Sequence, residues 1–215
     1  MAELMKWLND WLGFFKPLQV RNLQIFWSGQ AAALIGMWLQ VTAMGILVYD
    51  ISGGSATAVG FLAALNALPF FLGGMLLAGL GDRFDRRKLL IAVQCVQWLV
   101  AVALFLLTML DMLQLWHLYA AGLVMGVNQT VGFPTQQAFV GDLIPRRQLQ
   151  EAVGMYSLVF NTCRAVGPAL AGYIIAEWGA GTAFGGNVVA SLPLIGCLVA
   201  LKGRVADTSA PKKQR

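Results

Sequence analysis

The sequence predicts an all-α membrane protein: six transmembrane helices preceded by an amphipathic interfacial helix. Three observations predict it. Of 215 residues, 58% are hydrophobic and only 12% are charged, with a mean hydropathy of +0.68, which is far from a soluble domain. Apolar runs of about 20 residues, each long enough to cross a bilayer, recur along the whole chain. Basic residues fall on alternate connections between those runs, the pattern that orients a polytopic protein.

Residues 1–22 form the amphipathic segment. Leu4, Trp7, Leu8, Trp11, Leu12 and Phe15 recur at three- and four-residue intervals, with Lys6, Asn9, Asp10 and Lys16 between them. That stripe suits a helix lying in the headgroup layer, and Pro17 ends it. The opening mixes acid with base and leads into a run of full spanning length, unlike a cleavable signal peptide. The six-helix bundle occupies residues 23–201. Its spans run over 23–49, 56–80, 89–110, 116–140, 152–176 and 183–201. Turn residues or charges close each one, including Asp50-Ile51-Ser52-Gly53-Gly54-Ser55, Asp111 and Pro145-Arg146-Arg147. Residues 202–215 are a polar tail.

The charges test this count. Fourteen of the fifteen Lys and Arg residues fall on one side of it, and the opposite loops carry only Asp50, Asp111, Glu177 and the lone His117. The positive-inside rule then places both termini in the cytoplasm. The net charge of +5 is thereby explained by orientation, without nucleic acid. Cys95, Cys163 and Cys197 lie inside apolar runs without paired spacing, so they read as small buried hydrophobes rather than disulfide or metal ligands.

The densest charge in the chain is Asp82-Arg83-Phe84-Asp85-Arg86-Arg87-Lys88, directly after the second span. Such a cluster is at least an orientation determinant. The stretch Ala78-Gly79-Leu80-Gly81-Asp82-Arg83-Phe84-Asp85-Arg86-Arg87 also resembles the loop signature of the major facilitator superfamily, Gly-x-x-x-Asp-Arg-x-Gly-Arg-Arg. Alanine stands at its first glycine and Asp85 at its later one. In the fifth span, Gly154, Cys163, Gly167, Pro168, Ala171 and Gly172 resemble the antiporter signature, with small residues at two of its glycines. A Gly-Pro step there frees backbone groups and permits a bend. Phe26-Trp27-Ser28-Gly29-Gln30, Pro134-Thr135-Gln136-Gln137 and Asn161-Thr162-Cys163-Arg164 extend the resemblance to the branch of enterobactin and macrolide exporters. It covers residues 21–201.

The resemblance implies the N-terminal six-helix half of a twelve-helix transporter, with residues 202–215 beginning a central linker. It implies secondary active export of a small siderophore-like or drug-like molecule by alternating access, in exchange for protons, across a bacterial inner membrane. The partners are then the substrate, protons, the bilayer, and a C-terminal half or a second copy; no cofactor, metal or nucleic acid is expected. Asp82, Arg83, Asp85, Arg86 and Arg87 would form a gating latch, and Gly154, Gly167, Pro168 and Gly172 a bending helix. An arginine that the superfamily often carries in the fourth span is absent, since its position is Gly122.

Polar residues at membrane depth are costly unless they face the bundle interior or a wet cavity. Arg164 is the leading substrate-binding candidate, suited to an anionic or catecholate-like group, or else to carbonyls freed near Pro168 or to Asn161. Asn161, Asn128, Gln129, Gln40 and Asn66 follow, each as a cavity liner or as interhelical glue. No Asp or Glu lies mid-span; Asp50 and Asp142 sit at span ends. Two other classes stay open. One is a non-transporting half that needs a partner. The other is an intramembrane hydrolase, disfavoured because Ser28-Gly29 lacks the Gly-x-Ser-Gly context and His117 lies near a membrane face.

Overall fold

A computed structural model describes residues 21–78, 84–143 and 149–200. They form six α-helices: α1 Arg21–Ile51, α2 Ala56–Ala78, α3 Arg86–Met109, α4 Leu115–Leu143, α5 Leu149–Trp178 and α6 Ala180–Ala200. The amphipathic segment up to residue 20, Asp82, Arg83 and the polar tail lie outside the described residues.

Five helices, α1, α2, α3, α5 and α6, are long and apolar enough to cross a membrane. The sixth, α4, has 29 residues, about 43 Å of helix, so length is not what sets it apart. Asn128, Gln129, Thr130, Thr135, Gln136 and Gln137 dilute its apolar content.

Three short turns join the helices at one end. Between α1 and α2, Gly53 and Gly54 take φ values of 69° and 87°, the left-handed region that glycine enters without strain. Ser55 then caps α2, its Oγ accepting from the Ala58 N–H at 3.3 Å. Between α3 and α4, Asp111 takes φ 53°, and His117 Nδ1 accepts from the Gln114 N–H at 3.0 Å. Gly179, at φ 82°, lets α6 begin at once after α5.

The most extensive packing is α1 against α6, followed by α2 against α4, α3 against α6 and α1 against α5. Small residues make it close. A methyl group at Gly36 would meet the Asn187 backbone, and one at Gly126 would collide with the Asn66 carbonyl. Apolar side chains offer little net drive in lipid, so such contacts and interhelical hydrogen bonds do the holding. One core cluster, around Phe26, Phe139, Met155 and Leu198, lies towards the end carrying residues 84–85. The other, around Ala43, Val48, Leu104, Leu118 and Phe184, fills the opposite end. Cys163 and Cys197 are buried, but Cys95 is exposed, which corrects the reading of all three as interior. An apolar run has an outward face as well as an inward one.

Candidate functional site

An open cavity of about 750 Å³ lies in the bundle. Its lining on α1 runs from Gln30 through Leu34 and Trp38 to Val41, a helical stripe of three- and four-residue steps. Asn66, Phe70 and Phe71 come from α2, Gln94 and Gln97 from α3, and Asn128, Gln129, Phe133 and Gln136 from α4. Tyr156 and Phe160 of α5 and Ser191 of α6 complete it. On α2, α3, α4 and α5 these residues run from mid-helix, at Asn66 and Asn128, towards the turn at 84–85. The cavity therefore reaches from the middle of the bundle towards that end, and the second core cluster occupies the other.

Its chemistry is neutral and polar on an aromatic frame. Seven side-chain amides reach it: Gln30, Asn66, Gln94, Gln97, Asn128, Gln129 and Gln136. Among the described lining residues there is no Asp, Glu, Lys or Arg. A connected aromatic wall runs Trp38–Phe160–Tyr156–Phe133, with centroid separations of 6.3, 6.0 and 5.9 Å. Asn66 donates to the Gly122 carbonyl at 3.2 Å, tying α2 to α4. Asn128 donates to the Val93 carbonyl at 2.9 Å and to Gln97 Oε1 at 3.2 Å, tying α4 to α3.

Three of the six candidate binding residues, Asn66, Asn128 and Gln129, therefore line the cavity. Gln40, Asn161 and Arg164 do not. Gln40 is fully buried between α1, α4 and α6, where it accepts from Asn187 Nδ2 at 2.5 Å and donates to Met125 Sδ at 3.0 Å. Ser191 Oγ donates onward within the same cluster, to Asn187. Asn161 is exposed on α5 and donates back to the Ser157 carbonyl at 2.7 Å. Arg164, also exposed, makes no hydrogen bond or ion pair with the described residues. Neither acceptor considered for Arg164, the freed carbonyls or Asn161, is used.

Gln30, Trp38 and Gln136 are lining residues that sequence reasoning did not select as binding groups. The helical stripe from Gln30 to Val41 is the signal that could have found two of them.

The charged stretch contributes locally. Asp85 is the N-cap of α3, its Oδ1 accepting from the Lys88 N–H at 2.9 Å. The aspartate at the signature's glycine thus serves one of the helix's orphan N–H groups. Arg87 reaches across to the end of α6, donating from Nε to the Leu198 carbonyl at 2.8 Å and from Nη2 to the Val199 carbonyl at 3.1 Å. A cation at a helix C-terminus opposes the negative end of its dipole and fills carbonyls that the helix leaves open. In α5, Gly167 is buried and its absent side chain makes room for Trp38. Pro168 lies within the same helix, and Gly154 and Gly172 are half-buried along it.

Comparison with known proteins agrees with this architecture. The family described as transmembrane secretion effector matches residues 12–214. The chain is 27% identical to an uncharacterized MFS-type transporter, YfiS, of Bacillus subtilis, over 76% of this chain and 38% of that protein. It is 26% identical to the staphyloferrin A transporter of Staphylococcus aureus, over 74% of the chain and 40% of that protein. It is 24% identical to the enterobactin exporter EntS of Citrobacter koseri, over 76% of the chain and 42% of that protein. The chain thus spans about two-fifths of the length of these curated relatives. No solved structure matches it. With a family match over nearly its whole length and six described helices packed around an open cavity, this chain belongs to the transmembrane secretion effector family of major facilitator superfamily transporters.

Proposed function

We propose that this chain is one six-helix half of a proton-coupled exporter, and that its cavity takes a small organic molecule from the cytoplasm. The observation that carries this reading is the 750 Å³ cavity that reaches from the middle of the bundle towards the end bearing the basic loops. The charge pattern puts that end inside, with both termini cytoplasmic, so the cavity is reached from the side where an exported molecule is made. The inner membrane of a bacterium is the membrane concerned, as the bacterial relatives suggest. Movement is by alternating access, one half rocking against another. The names of the relatives supply siderophore-like and drug-like molecules as the substrate range.

A second half is part of the proposal. Arg164 lies mid-helix in α5, exposed and unpaired among the described residues, with exposed Asn161 three residues before it. A guanidinium facing hydrocarbon costs several kcal/mol, so this face suits protein or water rather than lipid. A second six-helix unit, on the same polypeptide or as another copy, would cover it. Asp82, Arg83 and Arg86 would work against that unit as the latch. Asn66, Asn128 and Gln129 are the proposed substrate contacts in this half, and the face with Asn161 and Arg164 is the proposed seam. The bend at Gly167-Pro168 lets α5 follow the motion, with Gly154 and Gly172 keeping its surface smooth.

The test is transport in everted membrane vesicles carrying the chain with a six-helix partner half. Uptake of a fluorescent drug-like compound should need both halves, follow an imposed proton gradient, and stop on addition of a protonophore. Uptake equal to that of vesicles without the chain would refute the reading.

A further inference from the structure

We infer that the cavity reads its ligand through Asn128 and Gln97, and that the group read is an uncharged amide, sulfonamide or hydroxyl with an N–H or O–H to donate. This deepens the transport reading and rests on it for the site, but its chemistry comes from how the bundle orients these two amides.

A side-chain amide is ambivalent until its neighbours turn it. Here the backbone does the turning. A carbonyl oxygen only accepts, so the Val93 carbonyl holds Asn128 with Nδ2 towards α3, at 2.9 Å. The second N–H of that group goes to Gln97 Oε1 at 3.2 Å. Both donors of Asn128 are then engaged, and Oδ1 is left as an acceptor. Gln97 has its oxygen engaged, and Nε2 is left as a donor. The Gly122 carbonyl turns Asn66 in the same way, leaving its Oδ1 and one N–H.

Both residues line the cavity. Among the described residues, four unpaired side-chain atoms are sealed inside the protein: Trp27 Nε1, Gln30 Oε1, Trp38 Nε1 and Gln136 Nε2. Asn128 Oδ1 and Gln97 Nε2 bond nothing among the described residues and are not sealed in this way, although Asn128 as a whole is only 9% exposed.

An acceptor held by the backbone cannot turn to suit its ligand, so it demands a donor. A ligand without one strips water from Oδ1 and leaves it unpaired, which costs affinity. Gln97 Nε2, on the bonded neighbour, takes an oxygen of the same ligand. An ammonium also donates, but with no ionised side chain among the described lining residues it sheds water without meeting a countercharge. The donor is therefore that of a neutral group. Phe160, Tyr156 and Phe133 offer ring faces and edges to a flat remainder.

The experiment uses the full chain in nanodiscs of zwitterionic lipid, with empty nanodiscs as the blank. Two fluorescent probes share one ring system and differ at one group. One is dansylamide, a primary sulfonamide; the other is the corresponding methyl sulfone, in which a methyl of similar size replaces the NH2. Both are uncharged and both keep the sulfonyl oxygens. Dansylamide should bind saturably and about fivefold or more tightly than the sulfone, the worth of roughly one hydrogen bond. Asn128→Leu should bring the two affinities together by weakening dansylamide alone. Gln97→Met should weaken both probes alike, by about threefold or more, and keep their ratio, because the Val93 carbonyl still orients Asn128. General structural damage would lower both probes in Asn128→Leu, so the ratio separates a ligand contact from a structural residue. If Asn128→Leu fails to fold without its bonds to α3, the probe pair on the unaltered chain and on Gln97→Met decides. Equal or tighter binding of the sulfone, no saturable binding, an unchanged ratio in folded Asn128→Leu, or a Gln97→Met variant that loses the ratio or binds both probes as the parent does would each overturn the inference. Failed vesicle uptake with the donor preference intact would count against transport alone. Proton-driven uptake without a donor preference would count against this inference alone.

Discussion

Gln40→Met should destabilise the bundle without changing what the cavity binds. Gln40 has no exposed surface, and its partner Asn187 is only 1% exposed. The substitution keeps length and volume but removes the acceptor for Asn187 Nδ2 and the donor to Met125 Sδ. A buried donor left unsatisfied costs about 1–3 kcal/mol in soluble proteins. Single interhelical bonds in membrane bundles average about 0.6 kcal/mol and reach about 1.7. The bond to sulfur is weak, so one good bond and one orphaned N–H dominate, giving an expected loss of about 1 kcal/mol. Asn187→Ala should cost more, since it also removes the acceptor of Ser191 Oγ and loosens packing against Gly36. The double variant should then fall short of the sum of the two by about 1 kcal/mol, the coupling of the shared bond. Equilibrium unfolding in mixed detergent micelles measures all three. Additive losses, or a Gln40→Met variant as stable as the parent, would refute the reasoning.

Gly126→Ala should cost about 1–3 kcal/mol, since its methyl meets the Asn66 backbone rather than a movable side-chain end; unfolding midpoints would show it. Asp85→Ala should cost about 1 kcal/mol through loss of the α3 cap, whereas Asp85→Gly, the residue of the superfamily signature, should cost only a few tenths, as the same titrations would show. Arg87→Ala should release the Leu198 and Val199 carbonyls and accelerate amide hydrogen exchange in the last turns of α6, with Arg87→Lys restoring only part of the protection. Arg164→Leu should impair uptake by the paired halves, because it alters the seam and not the cavity; normal uptake would remove Arg164 from the mechanism.

The helices were legible because apolar runs of spanning length and the turn residues between them obey one rule, the need to satisfy backbone groups in lipid. Their ends moved only slightly. The first helix extends to Arg21 and Ile51, and the sixth starts at Ala180 because Gly179 turns the chain without a longer loop. The site was legible in kind but not in detail. An amide at membrane depth announces that it faces something polar, and nothing local says what. Gln40 and Gln30 lie on one helix ten residues apart, yet one bonds α6 and α4 while the other reaches the cavity. Only the packing of α1 against its neighbours separates them. Arg164 illustrates the same limit from outside. Its cost in lipid requires cover, but neither sequence pattern nor helix spacing assigns that cover to substrate or to protein.

The partner state of each amide therefore divides glue from site. Asn187 and Gln40 use their groups between helices. Asn66 and Asn128 do both, since they line the cavity while their N–H groups hold α4 and α3. Gln30 and Gln136 line the cavity, each with one buried amide atom that bonds nothing. The fourth helix carries most of this burden. It bonds α2 and α3 on one side and presents Asn128, Gln129 and Gln136 to the cavity on another, so it has few positions left for purely apolar side chains. Its shortfall in hydropathy is the sequence trace of that double duty. A helix buried on several sides by protein needs less apolar surface than one facing lipid, because its polar groups meet partners instead of hydrocarbon. By the same reasoning, replacing its cavity-facing amides with leucine should make α4 a better membrane span and a poorer wall for a polar ligand.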